Sequence, residues 1–273
     1  MKTLDFLKMQ ALGNDFIVLD GRKALLNLNP ELIKQMANRR FGIGCDQFIV
    51  IEASTKADAF MRIYNPDGSE AGACGNATRC IADIILKEAN KDRIVLETIS
   101  GLLECVRVDD KTITVDMGEA KLGWEQIPLA FERDTLNLRI EVGPFSNPVA
   151  VNMGNPHAVF FTTDIEKQRI ENYGPQLEKH PLFPERANIE FAEIMDRLTV
   201  RMRVWERGAG ITMACGSGAC ATAVAAIRRG LTERKLTIIM DGGPLGIEWR
   251  EADGHVLMTG GYEYVFSGQY FLD

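Results

Sequence analysis

The stretch NPDGSEAGACGNATRC, from Asn65 to Cys80, places a single cysteine among small residues where an apolar-periodic helix is predicted to begin. The stretch WERGAGITMACGSGACA, from Trp205 to Ala221, repeats this arrangement, because Ala-Cys-Gly is again followed by a short polar residue and a helical run. Cys74 and Cys215 therefore occupy matched positions, which indicates that the two thiols form a functional pair.

The spacing of the two stretches reveals a long internal repeat. Cys215 lies 141 residues after Cys74, and Asn155 lies at the same distance after Asn14. This period is far longer than the roughly 20 to 50 residues of solenoid repeats, so it predicts two equivalent domains and not an array. Further pairs at this spacing are Gln47 with Asn188, Asn65 with Glu206, and the motif MRIYN from Met61 with MRVWE from Met202.

The repeat predicts where the domains begin and end. A chain of 273 residues is long for one domain of average size and sufficient for two. We predict a first domain over residues 1–118, to which the segment 264–273 can return, and a second domain over residues 119–263. The segment GEAKLGWEQIP, from Gly118 to Pro128, has the glycine and proline expected of a linker.

Each half is predicted to hold many short strands and one prominent helix. The first helix begins after Cys74, and the second runs from about Gly216 to Arg229, with Gly230 at the C′ position. The second helix is small or apolar on almost every face, which is typical of a buried helix. Short turns join the strands, so we predict an α+β fold with mainly antiparallel strands around one helix in each half. The predicted strand runs are FIVIEA, AFMRIY, RIVLET, LLECVRV and TITVD, then VAVN, IEFAEI, TVRMRVW, KLTIIM and HVLMTG.

Charge and hydropathy limit the classes of partner. The formal net charge of -7 and the pI near 5.2 argue against nucleic acid or an anionic membrane, since both bind clustered Lys and Arg. The N-terminal sequence carries Asp5 and Lys8 where a signal peptide would be apolar, and no run of 18 uncharged apolar residues occurs. We therefore expect a cytoplasmic protein that acts on a small molecule.

Six cysteines are expected to remain free thiols in a reducing compartment. The spacings within each local pair are wider than the C-x2-C of structural zinc sites, and the chain has three histidines, so we predict no metal site. A thiol-based redox protein or a metal-binding protein remains the alternative from another functional class. The four cysteines interpreted as small buried residues are Cys45, Cys80, Cys105 and Cys220.

A thiol at a helix N-terminus suits proton transfer. The unsatisfied N–H groups and the helix dipole there favour an anion, so we expect the pKa of such a cysteine to lie below about 8.5. The same donors can hold a carboxylate, and they come from Gly75 and Asn76 in one half and from Gly216 and Ser217 in the other. Two such thiols could act on opposite faces of a carbon atom next to a carboxylate. One thiol removes the proton from its face and the other adds a proton to the opposite face, which inverts the stereocentre.

Together these motifs resemble the diaminopimelate epimerase family over nearly the full length of the chain. The resemblance is specific because it covers both cysteine motifs and the polar segments between them. The remaining matching motifs are ALGNDFIVLD from Ala11, RRFGIGCDQ from Arg39, NMGNPHAVFF from Asn152 and RANIEF from Arg186.

The resemblance implies an isomerase that interconverts LL- and meso-diaminopimelate, in the biosynthesis of lysine and peptidoglycan precursors. It implies that Cys74 and Cys215 are the acid and base, that His157 and Glu206 help to set their protonation states, and that Arg207 can bind the distal carboxylate. No pyridoxal phosphate or other cofactor is implied, and the family suggests a homodimer. The implied substrate-binding residues are Asn14, Gln47, Asn65, Gly75, Asn76, Asn155, Asn188, Glu206, Arg207, Gly216 and Ser217.

The chain departs from the family pattern at two places beside the cysteines. Many members carry a glutamate where this chain has Ile211, so no role of that carboxylate is transferred. Ala77 and Thr78 replace a common Gly-Ala after the first Cys-Gly-Asn. The nearest alternative in fold is a racemase or epimerase of the proline type, whose substrates lack the second amino-acid head group.

Overall fold

The computed structural model describes residues 2–22 and 26–272. The chain divides into two compact units, the first comprising Met1–Val115 with Gly260–Asp273 and the second comprising Asp116–Thr259. No helix in the described ranges is long and apolar enough to cross a bilayer. Within the described ranges, each unit combines many strands with two α-helices, so the predicted α+β class is confirmed.

The first unit is a sequence of short strands interrupted by two helices. Strand β1 pairs with β2, β2 runs parallel to β3, and β3 runs antiparallel to β4. Strand β4 is followed in the sheet by β6, β7 and β8, and β1 also pairs with the C-terminal strand β19. The bounds are β1 Lys2–Ala11, β2 Asn14–Asp20, α1 Pro30–Ala37, β3 Gln47–Glu52, β4 Ala59–Tyr64, β5 Glu70–Ala71, α2 Gly75–Ala89, β6 Arg93–Thr98, β7 Gly101–Asp109, β8 Thr112–Glu119 and β19 Glu263–Leu272.

Apart from the additional hairpin of β9 and β10, the second unit follows the same order of strands and the same strand directions. Strand β11 is antiparallel to β12, β12 is parallel to β13, and β13 is antiparallel to β14. Strand β14 runs parallel to β16, which continues antiparallel into β17 and β18. The bounds are β9 Glu141–Val142, β10 Phe145–Ser146, β11 Val149–Asn152, β12 Pro156–Phe161, α3 Ile170–Glu178, β13 Asn188–Asp196, β14 Thr199–Glu206, β15 Gly210–Ile211, α4 Gly216–Arg228, β16 Lys235–Met240, β17 Gly243–Trp249 and β18 His255–Gly261.

The helices that follow the two cysteines are buried, as expected. Helix α2 ends at Ala89, and its C-cap Asn90 adopts the left-handed conformation with φ near 51°. Helix α4 is followed by Gly230, whose φ of 69° is the value expected at C′. Along α4 every residue from Gly218 to Ala226 is buried, because its small side chains let the surrounding strands approach closely.

Each predicted strand run overlaps an observed strand, but the pattern missed five of the longer strands, which are β1, β2, β12, β17 and β19. Strands β2 and β12 are almost continuously buried, so their side chains do not alternate between apolar and polar. The predicted linker is also packed: its residue Ile127 belongs to the apolar core of the second unit, as does Leu129 just after the linker. The division between the units falls inside β8, between Val115 and Asp116.

Candidate active site

Both cysteines of the matched pair cap a helix with their sulfur atoms. Cys74 is the N-cap of α2, and its Sγ accepts a hydrogen bond from the N–H of Ala77 at 3.4 Å. Cys215 is the N-cap of α4, and its Sγ accepts from the N–H of Gly218, also at 3.4 Å. The predicted placement of both thiols at helix starts is therefore confirmed, and each sulfur substitutes for the usual side-chain oxygen of a cap.

In the first unit, a polar network surrounds Cys74. The Cys74 thiol donates to Oδ1 of Asn14 at 3.8 Å, and the same oxygen accepts from Nδ2 of Asn76 at 3.3 Å. Asn14 in turn donates to Asp46 at 3.0 Å, and the buried guanidinium of Arg79 donates to Oδ1 of Asn76 at 3.0 Å. The two amides are thus held in fixed orientations beside the thiol.

Strand register places two more of the implied contact residues at one end of the same sheet. Gln47 begins β3 opposite Phe16 of the parallel β2, and its Oε1 is buried without a hydrogen-bond partner among the described residues. Asn65 follows β4 and closes a turn in which its Nδ2 donates to Oγ of Ser69 at 3.1 Å. A buried amide oxygen without a partner is costly, so Gln47 is ready to accept a bond from a ligand.

In the second unit, Cys215 is 7% exposed and lies among polar groups. Its Sγ is 3.6 Å from Oγ of Ser217, and a hydrogen bond links it to the carboxylate of Glu206. The half-buried Glu206 also accepts a hydrogen bond from the Thr212 hydroxyl. Glu206, Ser217 and Cys215, all implicated by the sequence, are brought together here.

The expectation of a lowered pKa is wrong for Cys215. Burial is the main cause that raises the pKa of this thiol well above its ordinary value, and the negative charges of Glu206 and Glu190 act in the same direction. The bonds from Ser217 and Gly218 lower the pKa, but they are outweighed. The surroundings of Cys215 therefore favour the protonated thiol over the thiolate. Burial likewise raises the pKa of the Glu206 carboxyl.

His157 lies at the start of β12 with both ring nitrogens engaged. Its Nε2 is 2.8 Å from Oδ1 of Asn155, and its Nδ1 is 2.6 Å from Oε1 of Glu190. The parallel register pairs His157 with Asn188, whose Nδ2 donates to the carbonyl oxygen of Pro156 at 3.2 Å. In the second unit, Asn155, His157 and Asn188 therefore lie at one end of the sheet. Their counterparts lie at the corresponding end of the sheet in the first unit.

Arg207 begins the loop after β14 and is exposed. Its backbone N–H donates to Oδ1 of Asn188 at 2.9 Å, while its guanidinium donates to the carbonyl oxygen of Glu185 at 3.1 Å. Most of the guanidinium N–H groups thus face solvent, where they can bind an anion. The amide of Asn188 is anchored on one side to the loop and on the other to β12.

The first residues of both helices supply donors for a second anion. The N–H groups of Gly75 and Asn76 in α2, and of Gly216 and Ser217 in α4, belong to the first helical turn, where no preceding carbonyl of the same helix can accept them. Such groups bind carboxylates. The described residues contain no group of three or more His, Cys, Asp and Glu side chains arranged to hold a metal ion.

The other four cysteines differ from the matched pair. All of them are free thiols and buried, as the sequence predicted. Burial raises the pKa of Cys45 to about 12 and raises the pKa of Cys80 and Cys105 as well. Cys45, Cys80 and Cys105 therefore ionise less readily than an exposed thiol.

Four residues of these networks were missed at the sequence level: Asp46, Arg79, Glu190 and Thr212. Asp46 lies inside the quoted motif RRFGIGCDQ, and Glu190 lies inside RANIEF, so their positions were available. Their role was not, because a charged residue is ordinarily a surface residue. Ile211, where the chain departs from the family pattern, lies in β15 with an exposed side chain. It precedes Thr212, whose hydroxyl donates a hydrogen bond to Glu206.

Comparison with known proteins places the chain in one family. The family model described as diaminopimelate epimerase matches residues 6–123 and 149–265. The chain is 54% identical to the diaminopimelate epimerase of Acidiphilium cryptum, over 97% of this chain and 95% of that protein. It is 47% identical to the diaminopimelate epimerase of Caulobacter vibrioides, over 97% of this chain and 96% of that protein.

Solved structures with low sequence identity share the fold. A hydroxyproline epimerase from Agrobacterium vitis aligns with a TM-score of 0.72 at 14% identity, over 98% of this chain and 92% of that chain. A PhzF-family phenazine biosynthesis protein from Bacillus anthracis aligns with a TM-score of 0.71 at 16% identity, over the full length of both chains. The sequence matches decide the family where the fold alone does not, and the chain belongs to the diaminopimelate epimerase family of isomerases.

Proposed function

We propose that the protein interconverts LL- and meso-diaminopimelate by moving the α-proton between Cys74 and Cys215. One observation carries the proposal: both thiols cap buried helices in the same way, in a chain of this family. Each sulfur lies next to backbone N–H groups that can hold the α-carboxylate. One thiol removes the proton, the other returns a proton on the opposite face, and their roles exchange in the reverse reaction.

The difficulty of this reaction is the weak acidity of the α-proton. A gap of about ten pKa units between the carbon acid and the thiol corresponds to about 14 kcal/mol. Donors aimed at the charge that develops on the carboxylate lower such a barrier, because they are already oriented when the proton moves. The first-turn N–H groups of α2 and α4 provide donors of this kind.

The raised pKa of Cys215 favours its protonated form. A protonated thiol can give its proton to the carbanion, so Cys215 acts as the acid in the direction in which Cys74 takes the α-proton, and the roles exchange in the reverse direction. Glu206 holds Cys215 through a hydrogen bond, and His157 helps to set the charge of the site.

Recognition of the substrate uses the remaining polar residues. Arg207 binds the distal carboxylate through its exposed guanidinium, and Gln47 accepts from a donor of the substrate through its otherwise unpartnered Oε1. The other proposed contacts are Asn14, Asn65, Gly75, Asn76, Asn155, Asn188, Glu206, Gly216 and Ser217.

Deuterium incorporation tests the reaction and the substrate together. Incubation of either LL- or meso-diaminopimelate with the protein in D2O is expected to give both stereoisomers, with deuterium at the inverted α-carbon, without added cofactor. Mass spectrometry and chiral chromatography measure the products. Inversion of proline or 4-hydroxyproline, with diaminopimelate left unlabelled, would refute the assignment and favour a racemase of the proline type.

We further propose that the protein is a homodimer that buries the outer surface of β19. This strand carries Tyr264, Val265, Phe266 and Phe271, with exposed fractions between 44% and 62%. Adjacent apolar side chains of this kind mark an interaction surface, and a second copy of the chain is the partner that the family suggests.

A substitution on this strand tests the dimer. Val265→Glu is expected to convert the dimer to a monomer, because a carboxylate in an apolar interface is not solvated. Light scattering coupled to gel filtration measures the mass. Leu198→Glu, at an exposed apolar position in the second unit, is the control and should leave the mass unchanged. A monomeric unsubstituted protein, or a dimeric Val265→Glu variant, would contradict the proposal.

Two broader proposals follow from the repeat and from the thiols. The order and directions of the strands match between the units at the spacing seen in the sequence, which supports an origin by duplication of one domain. The six free cysteines support a cytoplasmic enzyme, which would act in the biosynthesis of lysine and peptidoglycan precursors.

A further inference from the structure

Glu190 is a buried carboxylate for which the reaction above has no role. It lies in β13, and its side chain is 0% exposed, as is the imidazole of His157 that it contacts at 2.6 Å. Its second oxygen, Oε2, has no hydrogen-bond partner among the described residues. Burial of such a group costs several kcal/mol, so it needs an explanation.

The repeat supplies an internal control for the stability argument. In the second unit Val159 is paired with Glu190, and at the matching position of the first unit Val18 is paired with Ile49. The counterpart of His157 is Phe16, and both Phe16 and Ile49 are fully buried. The same strand pair thus folds with two apolar side chains, so the carboxylate and imidazole are not required by the architecture.

The contacts of His157 show what the carboxylate can do. An amide oxygen only accepts hydrogen bonds, so the contact between Nε2 and Oδ1 of Asn155 requires a proton on Nε2. With Nε2–H set by the Asn155 contact, a proton between Nδ1 and Oε1 of Glu190 gives either a neutral imidazole beside a protonated carboxyl or an imidazolium beside a carboxylate, and both of these states keep Nε2–H. With Oδ1 held by His157, the Nδ2 group of Asn155 points away from the ring and can donate to a ligand.

Glu190 also faces the helix that carries Cys215. A Cβ placed on Gly218 would lie 2.8 Å from Oε1 of Glu190 and 3.3 Å from Sγ of Cys215. Gly218 therefore allows the carboxylate and the thiol to approach the same point in the first turn of α4. The titratable groups around Glu190 are His157 from β12, Glu206 from β14 and Cys215 from α4.

We infer that Glu190 is a positioning residue: it fixes the imidazole of His157 with Nε2–H directed at Asn155, and so presents the NH2 group of Asn155 to the substrate. The inference rests on the proposed function in one respect, which is that Asn155 contacts the substrate. Glu190 itself contacts neither the substrate nor the reacting carbon.

Two variants, Glu190→Ile and Glu190→Gln, test the inference. The first introduces isoleucine, the residue type found at the matching position of the first unit. In each, the 15N shifts of the His157 side chain report the fraction of the ring with a proton on Nε2, and steady-state kinetics report kcat/KM. The Ile variant is expected to lose the preference for Nε2–H and to lose kcat/KM by about 10- to 100-fold, the range for one or two oriented hydrogen bonds. Across both variants kcat/KM should follow the Nε2–H fraction.

The second histidine–carboxylate pair of the same unit provides a matched control. Nδ1 of His255 lies 2.9 Å from Oδ1 of Asp116, and both side chains are partly exposed. Asp116→Asn should change neither the His157 shifts nor kcat/KM. Melting curves of all variants separate a folding defect from a change of tautomer, and if the Ile variant does not fold, the Gln variant gives the same readouts.

Two results would overturn the inference. One is a loss of kcat/KM while the Nε2–H fraction of His157 stays at its original value, which is the signature of a structural role. The other is a changed tautomer with kcat/KM unaltered. If the unsubstituted protein fails to exchange the α-proton of diaminopimelate, the proposed function falls, whereas the 15N shifts still report whether Glu190 fixes the ring.

Discussion

Replacing Cys215 by Ala is expected to abolish epimerisation, with a loss of about 10,000-fold or more, and Cys74→Ala is expected to do the same. Inversion needs a proton donor on one face of the carbon and an acceptor on the other, and each variant lacks one of them. The chiral assay in D2O measures the loss. Any deuterium that still enters the substrate should do so with retention of configuration, because a base remains on one face.

The matched controls are the neighbouring cysteines of the same two helices. Cys80 in α2 and Cys220 in α4 are 0% exposed and lie one to two turns from the helix start. Their replacement by Ala removes a thiol from the same helix without touching the site, so activity should be retained. Turnover with inversion in either Cys74→Ala or Cys215→Ala would refute the two-thiol mechanism.

Removing the carboxylate beside Cys215 is expected to have the second largest effect. Glu206→Gln should lower the pKa of Cys215, since one of the negative charges that oppose the thiolate is gone. A larger fraction of Cys215 is then ionised at neutral pH and unable to donate its proton. We therefore expect kcat/KM to fall by about 100-fold or more.

Thiol alkylation as a function of pH measures the predicted shift. In a Cys74→Ala background, the midpoint for alkylation of Cys215 should lie at lower pH when Glu206 is replaced by Gln. The control is Glu251→Gln, which removes an exposed carboxylate from a turn in the same unit and should leave the midpoint in place. An unchanged or higher midpoint in the Glu206 variant would show that this carboxylate does not oppose ionisation of Cys215.

The sequence identified the elements with the clearest local signals. Glycines and a polar residue after Cys74 and Cys215 marked the two helix starts, and the small residues of α4 marked a buried helix. The constant spacing between the halves was sufficient by itself to pair Asn14 with Asn155. Strands β2 and β12 were missed because a strand buried on both faces has no alternating pattern.

The ionisation of buried side chains could be determined only from the tertiary structure. The sequence shows that a thiol precedes a helix, and from this a lowered pKa was predicted for Cys215. The sequence does not show that two carboxylates, from β13 and β14, approach the sulfur of Cys215. The pairing of Glu190 with His157 is equally invisible, because it depends on the register of parallel strands 33 residues apart in the chain. Local sequence fixes where a helix begins, whereas the ionisation of a buried group depends on which distant residues folding brings within a few ångströms of it.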